Sequence, residues 1–215
     1  MEYIFADLII FIAWIGFYYL RKDLRKEILI MSILAAPLGL FDLLFVPGYW
    51  KPITLFELPI GIEGIIFSFL IGGLAAVSYI EVSKKKLTKI KKFHRHFSVF
   101  VFVISLPILI GCYFLHILNI EIALYLALVI GAAVIVFVRK DLFKSAFLGG
   151  LVFGLIYSFL LIVWMNLFPS SREWFLLSGL PRIFLFNAPI YEMVFAFLFG
   201  AYWGNIYELL YGYKL

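Results

Sequence analysis

Four carboxylates stand inside apolar stretches of this chain: Asp7 in FADLII, Asp42 in GLFDLLF, Glu63 in PIGIEGII and Glu192 in APIYEMVF. A carboxyl group in such surroundings is an acid–base tool. Placing a charged Asp or Glu deep in an apolar span costs about 2.5–3.5 kcal/mol on insertion scales. Such groups therefore face the protein interior, find polar partners, or keep their proton. One acid that donates a proton and a second that takes it back make a catalytic pair. Glu63 and Glu192 are the candidates for that pair, with Asp42 assisting. Asp7 is expected to snorkel towards the interface. Aromatic residues make up 20% of the chain. Phe67, Phe195, Tyr191, Trp50 and Trp164 are candidates for binding substrate, because ring faces stabilise a carbocation. Trp50 and Trp174 also suit an interfacial aromatic belt.

The elements that hold these residues follow from composition. Hydrophobic residues are 65% and charged residues 14% of the chain, and the mean hydropathy is +1.09. A soluble domain is nearer half apolar and a quarter charged. Apolar runs of about 18 residues or more span a bilayer, and only helices or closed barrels satisfy the backbone there. The uninterrupted runs exclude barrel strands, which alternate. The expected fold is therefore an all-α polytopic membrane protein. Seven helices are expected, at about 3–20, 28–47, 57–81, 97–118, 120–138, 145–168 and 184–211. Rise per residue then sets Glu63 and Glu192 roughly 9–12 Å inside their helix ends. The N-terminal MEYIFADL lacks the basic region of a cleavable signal peptide and reads as a retained first helix.

Charge gives the orientation. The net charge is +5, but the basic residues sit at the ends of apolar runs, which argues against a nucleic-acid groove. Loops 21–26, 83–96, 139–144 and the C-terminus carry four, seven, three and one Lys or Arg. The opposite side has only Lys51, Arg172 and Arg182. The basic side is expected in the cytoplasm, with the N-terminus outside and the C-terminus inside, in the cell membrane. The basic loop KKKLTKIKKFHRH (84–96) suits contact with anionic lipids. His94 and His96 lack a nearby carboxylate or Cys, and with a single Cys112 no metal site and no disulfide framework is expected.

An internal repeat organises the helices. RKDL occurs at Arg21 and again at Arg139, 118 positions on. Further along, Phe67, Phe69, Gly72 and Tyr79 align with Phe195, Phe197, Gly200 and Tyr207 at an offset of 128. The outer loop at 168–184 absorbs the difference. The expected organisation is repeat 1 over 1–82, a basic loop and linker helix over 83–119, and repeat 2 over 120–215. This is a 3+1+3 parallel repeat about an axis along the membrane normal, with a site at the shared interface. Gly72, Gly73 and Ala76, and the GxxxG of Gly150 and Gly154, are expected where helices pack closely.

These stretches resemble a known family. FDLLFVPGYW, with Asp42 and Trp50, followed by LPIGIEGIIFSFLIGG, looks like the integral-membrane lycopene cyclase domain, and APIYEMVFAFLFGAYW resembles it again. That family is built of three-helix units used as a heterodimer or in tandem. Its signature is a proline, two adjacent acids and an aromatic run. The resemblance implies that Glu63 stands for the first acid and Glu192 for the second. In this chain Gly64 follows Glu63 and Tyr191 precedes Glu192, so each copy keeps one acid. Pro59 and Pro189 lie ahead of them. The implied activity is cyclisation or isomerisation of a lipid-soluble isoprenoid or carotenoid by protonation and deprotonation. It needs no redox cofactor, and no G-x-G-x-x-G motif is present. The alternatives are a small-solute transporter of SWEET-like 3+1+3 architecture, or a cyclase-family member without catalysis. No Pro-Gln pair of the carrier type is found. A retinal protein would need a Lys in the last span, and 184–211 has none.

Overall fold

The computed structural model describes residues 2–56, 61–83, 88–89, 95–115 and 118–214, with backbone alone at 81–83, 95–98 and 214. The fold is all-α. Among the described residues six helical stretches are long and apolar enough to cross a membrane: Glu2–Leu20, Arg25–Phe45, Ile62–Ile80, Ile120–Val138, Lys140–Leu167 and Ile190–Tyr211. They are built from α1 (Glu2–Leu20), α2 (Arg25–Ala35), α3 (Asp42–Phe45), α4 (Ile62–Ser83), α7 (Ile120–Val138), α8 (Phe143–Leu167), α9 (Ile190–Trp203) and α10 (Ile206–Tyr211). The fourth apolar run forms two shorter helices, α5 (Arg95–Val103) and α6 (Ser105–Phe114). Pro107 explains that break, because its ring crowds the carbonyl four residues back, at Val103. Pro59, His94 and the side chain of His96 lie outside the described residues.

Proline and glycine also reshape two of the expected helices. The second begins at Arg25 and passes through a 3-10 segment, Ala36–Phe41, before α3. Pro37 removes a hydrogen bond at that point. The last expected helix, 184–211, is three pieces. Residues 184–189 form a hairpin in which β2 (Phe184–Leu185) pairs antiparallel with β3 (Ala188–Pro189). Its two turn residues, Phe186 and Asn187, have φ of 50° and 70°, as a tight two-residue hairpin turn requires. Asn166 holds that turn: its Nδ2 donates to the Phe186 carbonyl at 3.2 Å, and its Oδ1 accepts from Asn187 at 2.9 Å. Helix α9 then starts directly after Pro189, and Gly204 and Asn205 separate it from α10.

The chain forms two compact units, residues 1–74 with 155–194 and residues 75–154 with 195–215. Each draws on both halves of the sequence. In the first unit, Trp14 Nε1 of α1 donates to Ser32 Oγ of α2 at 3.0 Å, and Gly73 of α4 packs against both side chains. In the second unit, α6 lies along α7 and α10 packs on α5. Tyr202 of α9 bridges the break between α5 and α6: its hydroxyl donates to the Phe102 carbonyl and accepts from Ser105 Oγ at 2.9 Å. The expected glycine contact is there too, since a Cβ on Gly150 would come within 2.7 Å of the Phe197 carbonyl on α9. The basic stretch contributes β1 (Thr88–Lys89), which pairs with β4 (Tyr213–Lys214).

The two RKDL stretches form the same turn. Arg21 chelates Asp23 through Nε and Nη2 at 3.1 and 2.9 Å, and Arg139 chelates Asp141 at 2.8 and 2.7 Å. The next residue is buried in both, Leu24 and Leu142, and its N–H donates back to the arginine carbonyl at 3.0 and 2.9 Å.

Candidate functional site

All four candidate acids belong to the first unit. Glu63 and Glu192 lie in the first turns of α4 and α9. This corrects the expected depth of roughly 9–12 Å, which assumed helix starts at 57 and 184. The actual starts are Ile62 and Ile190. First-turn positions face the positive end of the helix dipole and its unpaired N–H groups.

Glu192 is held by two phenols. Tyr49 donates to its Oε1 at 2.9 Å and Tyr157 to its Oε2 at 2.8 Å. Tyr49 comes from the loop after α3 and Tyr157 from α8. Tyr49 is itself fixed by pairing between the loop after α3 and the loop after α8. Leu177 N–H donates to the Tyr49 carbonyl at 2.8 Å, Ser178 N–H to Gly48 at 3.1 Å, and Lys51 N–H to Trp174 at 2.7 Å, around an antiparallel bridge of Trp50 with Phe175. Phe67 meets the Tyr157 ring edge-on at 6.1 Å.

Glu63 is 1% exposed. Its Oε1 accepts from the Leu55 N–H at 2.5 Å, while Oε2 has no partner among the described residues. The loop ahead of α4 thus supplies the polar partner. Asp42, first residue of α3, abuts Gly64, the neighbour of Glu63. A Cβ on Gly64 would collide with the Asp42 carboxylate, and one on Gly39 with the Gly64 carbonyl. The two glycines therefore allow α4 and the Ala36–Phe41 segment to approach closely.

Asp7 does not snorkel. It is 5% exposed, and neither carboxylate oxygen has a partner among the described residues. Asp7 is within Coulombic range of Glu63 and Asp42, Asp42 of Glu192, and Tyr3 of all four acids. The four acids are thus one electrostatic cluster. Among the described residues no group of three or more His, Cys, Asp or Glu side chains is arranged to hold a metal ion.

The aromatic candidates divide. Trp50 stands beside the cluster, edge-on to Tyr3 at 5.1 Å. Trp164 donates its indole N–H to the Glu2 carbonyl at 3.0 Å and packs on Trp174 at 5.8 Å. Tyr191 donates to the Pro181 carbonyl at 2.9 Å. Phe195 belongs to the second unit, where its ring meets Phe199 at 5.4 Å. Sequence reasoning missed Tyr3, Tyr49, Tyr157 and the Leu55 N–H. The three tyrosines stand in apolar runs, where a phenol reads as another ring. A hydroxyl needing a partner was the one available signal.

Residues 119–210 match the family model of lycopene cyclase. This stretch is thus similar to lycopene cyclase, and it contains Tyr157 and Glu192. The apolar helices are those of a membrane protein. Asp7, Asp42 and Glu63 lie before the matched residues. No curated protein and no solved structure matches the chain.

Proposed function

We propose that the protein is a membrane-embedded, lycopene cyclase-like enzyme that cyclises or isomerises a linear isoprenoid by proton transfer. The observation that carries this reading is the cluster of Asp7, Asp42, Glu63 and Glu192, in which Asp7 and Glu63 are buried, Asp42 and Glu192 are half-buried, and two phenols fix Glu192. Glu63 is the proton donor, since its Oε2 is held by no other described group. Its proton goes to a terminal alkene carbon. The π pair forms the new C–H bond and leaves a tertiary carbocation. A second alkene closes the ring by attacking that carbon. Glu192 then takes a proton from the neighbouring carbon, and the electron pair of that C–H bond restores a double bond. No net oxidation occurs and no atom is lost. Both Glu192 oxygens accept hydrogen bonds, an arrangement suited to a proton acceptor. Asp42 assists by adding negative charge beside Glu192, and the faces of Phe67 and Trp50 steady the cation.

In the same reading α5 and α6 together make a seventh crossing between two three-helix repeats, 1–82 and 120–215. The matched RKDL turns support this repeat. The basic loops face the cytoplasm beside anionic lipid, and the substrate enters sideways from the bilayer. Expression in a lycopene-producing host, with pigment analysis, tests the function. Loss of lycopene to an isomer of equal mass is expected. Solute uptake by vesicles that Glu63→Gln abolishes would replace this reading with a carrier.

A further inference from the structure

Proton-transfer cyclisation uses one donor and one acceptor, yet the first unit buries more polar chemistry than that. Helix α1 contributes Tyr3, 3% exposed, and Asp7, 5% exposed. The Tyr3 hydroxyl, both Asp7 carboxylate oxygens and Glu63 Oε2 have no hydrogen-bond partner among the described residues. The phenol is in Coulombic range of all four acids, and Asp7 of Glu63. Buried polar atoms of this kind are satisfied by a partner or by a held water. A hydrocarbon chain satisfies none of them. Asp7 offers two carboxylate acceptors and Tyr3 one hydroxyl, the complement of a small molecule with two O–H donors and an acceptor.

We propose that Tyr3 and Asp7 hold a water molecule beside the proton donor Glu63, and that this water adds to the carbocation, so that the protein also hydrates a terminal isoprenoid alkene to a tertiary alcohol. This rests on the acid–base reading above and shares its first step. A carboxyl O–H delivers its proton to the terminal alkene carbon, and the π pair becomes the new C–H bond. The water oxygen then gives a lone pair to the cation, forming the C–O bond. Its surplus proton goes to a carboxylate of the cluster. Proton exchange between the carboxyl groups restores the starting state. The net change is addition of one water, without oxidation or reduction. Cyclisation and hydration thus compete for one cation, and the held water sets the ratio.

The test uses membranes containing the full chain, a linear carotene and isotopically heavy-oxygen water. The expected result is a product heavier than the substrate by one water and carrying the heavy oxygen. Tyr3→Phe and Asp7→Asn should each lower the ratio of alcohol to cyclic isomer by about tenfold, the effect of one strong hydrogen bond. The ratio is measured within each sample, so a smaller amount of folded protein does not move it. Cyclic isomers alone, without heavy oxygen, would overturn the hydration proposal and leave the cyclase reading standing. A ratio unchanged in both variants would overturn the assignment of the water to Tyr3 and Asp7. No conversion of the carotene at all would overturn both proposals.

Discussion

Two glutamates at comparable sequence positions receive different surroundings. Glu63 has one oxygen on the Leu55 N–H and one without a partner among the described residues, whereas Glu192 has a phenol on each oxygen. That asymmetry supports donor and acceptor roles. Glu63→Gln and Glu192→Gln are each expected to lower conversion by at least about 100-fold, the lower end for general acid–base catalysis. Tyr157→Phe should lower it by about tenfold, since it removes one hydrogen bond to a carboxylate. Pigment quantified per unit of membrane protein checks all three. The acids were legible because a carboxylate in an apolar run is costly and therefore conspicuous. Tyr49 and Tyr157 were not, because among so many aromatic residues a tyrosine reads as another packing ring, and the partner of its hydroxyl is fixed only by the fold. The Leu55 N–H has no sequence signature at all, since every residue except proline carries one.

At the scale of elements, local patterns read well and distant ones did not. The RKDL turn was legible twice because Arg and Asp two residues apart close their bridge without help from elsewhere. The breaks at Pro37 and Pro107 and the hairpin at 184–189 were not, because proline is tolerated in some helix positions and FLFNAP is apolar enough to read as helix. The late starts of α4 and α9 then moved Glu63 and Glu192 into first turns. Close contacts at glycine are the corresponding test. Gly64→Ala should push Asp42 from its place, reducing conversion together with thermal stability in detergent. Gly150→Leu in the second unit should cost about 1–3 kcal/mol through overpacking against Phe197 and Ala201. A mild effect at Gly150 would mean that α8 and α9 do not approach as closely as described.

At the scale of the whole molecule, composition made the membrane class plain, and six span-length helices among the described residues agree with it. The fourth apolar run is the element composition could not settle, since hydropathy measures apolar length and not helix continuity. The orientation proposed from charge alone is open to a direct check. Lys22→Cys, on the basic side, should react only with membrane-permeant thiol reagents in whole cells, and Ser178→Cys, in the loop after α8, also with impermeant ones. The reverse pattern would invert the orientation. The central claim is that the clustered carboxylates run proton-transfer chemistry on a linear isoprenoid. Its most direct test is pigment analysis of a lycopene-producing host carrying this protein, beside the same host carrying Glu192→Gln. Conversion of lycopene to cyclised or hydrated products by the parent chain, and retained lycopene with the variant, is the predicted result. Unchanged lycopene in both, with the parent chain verified in the membrane, would contradict the account.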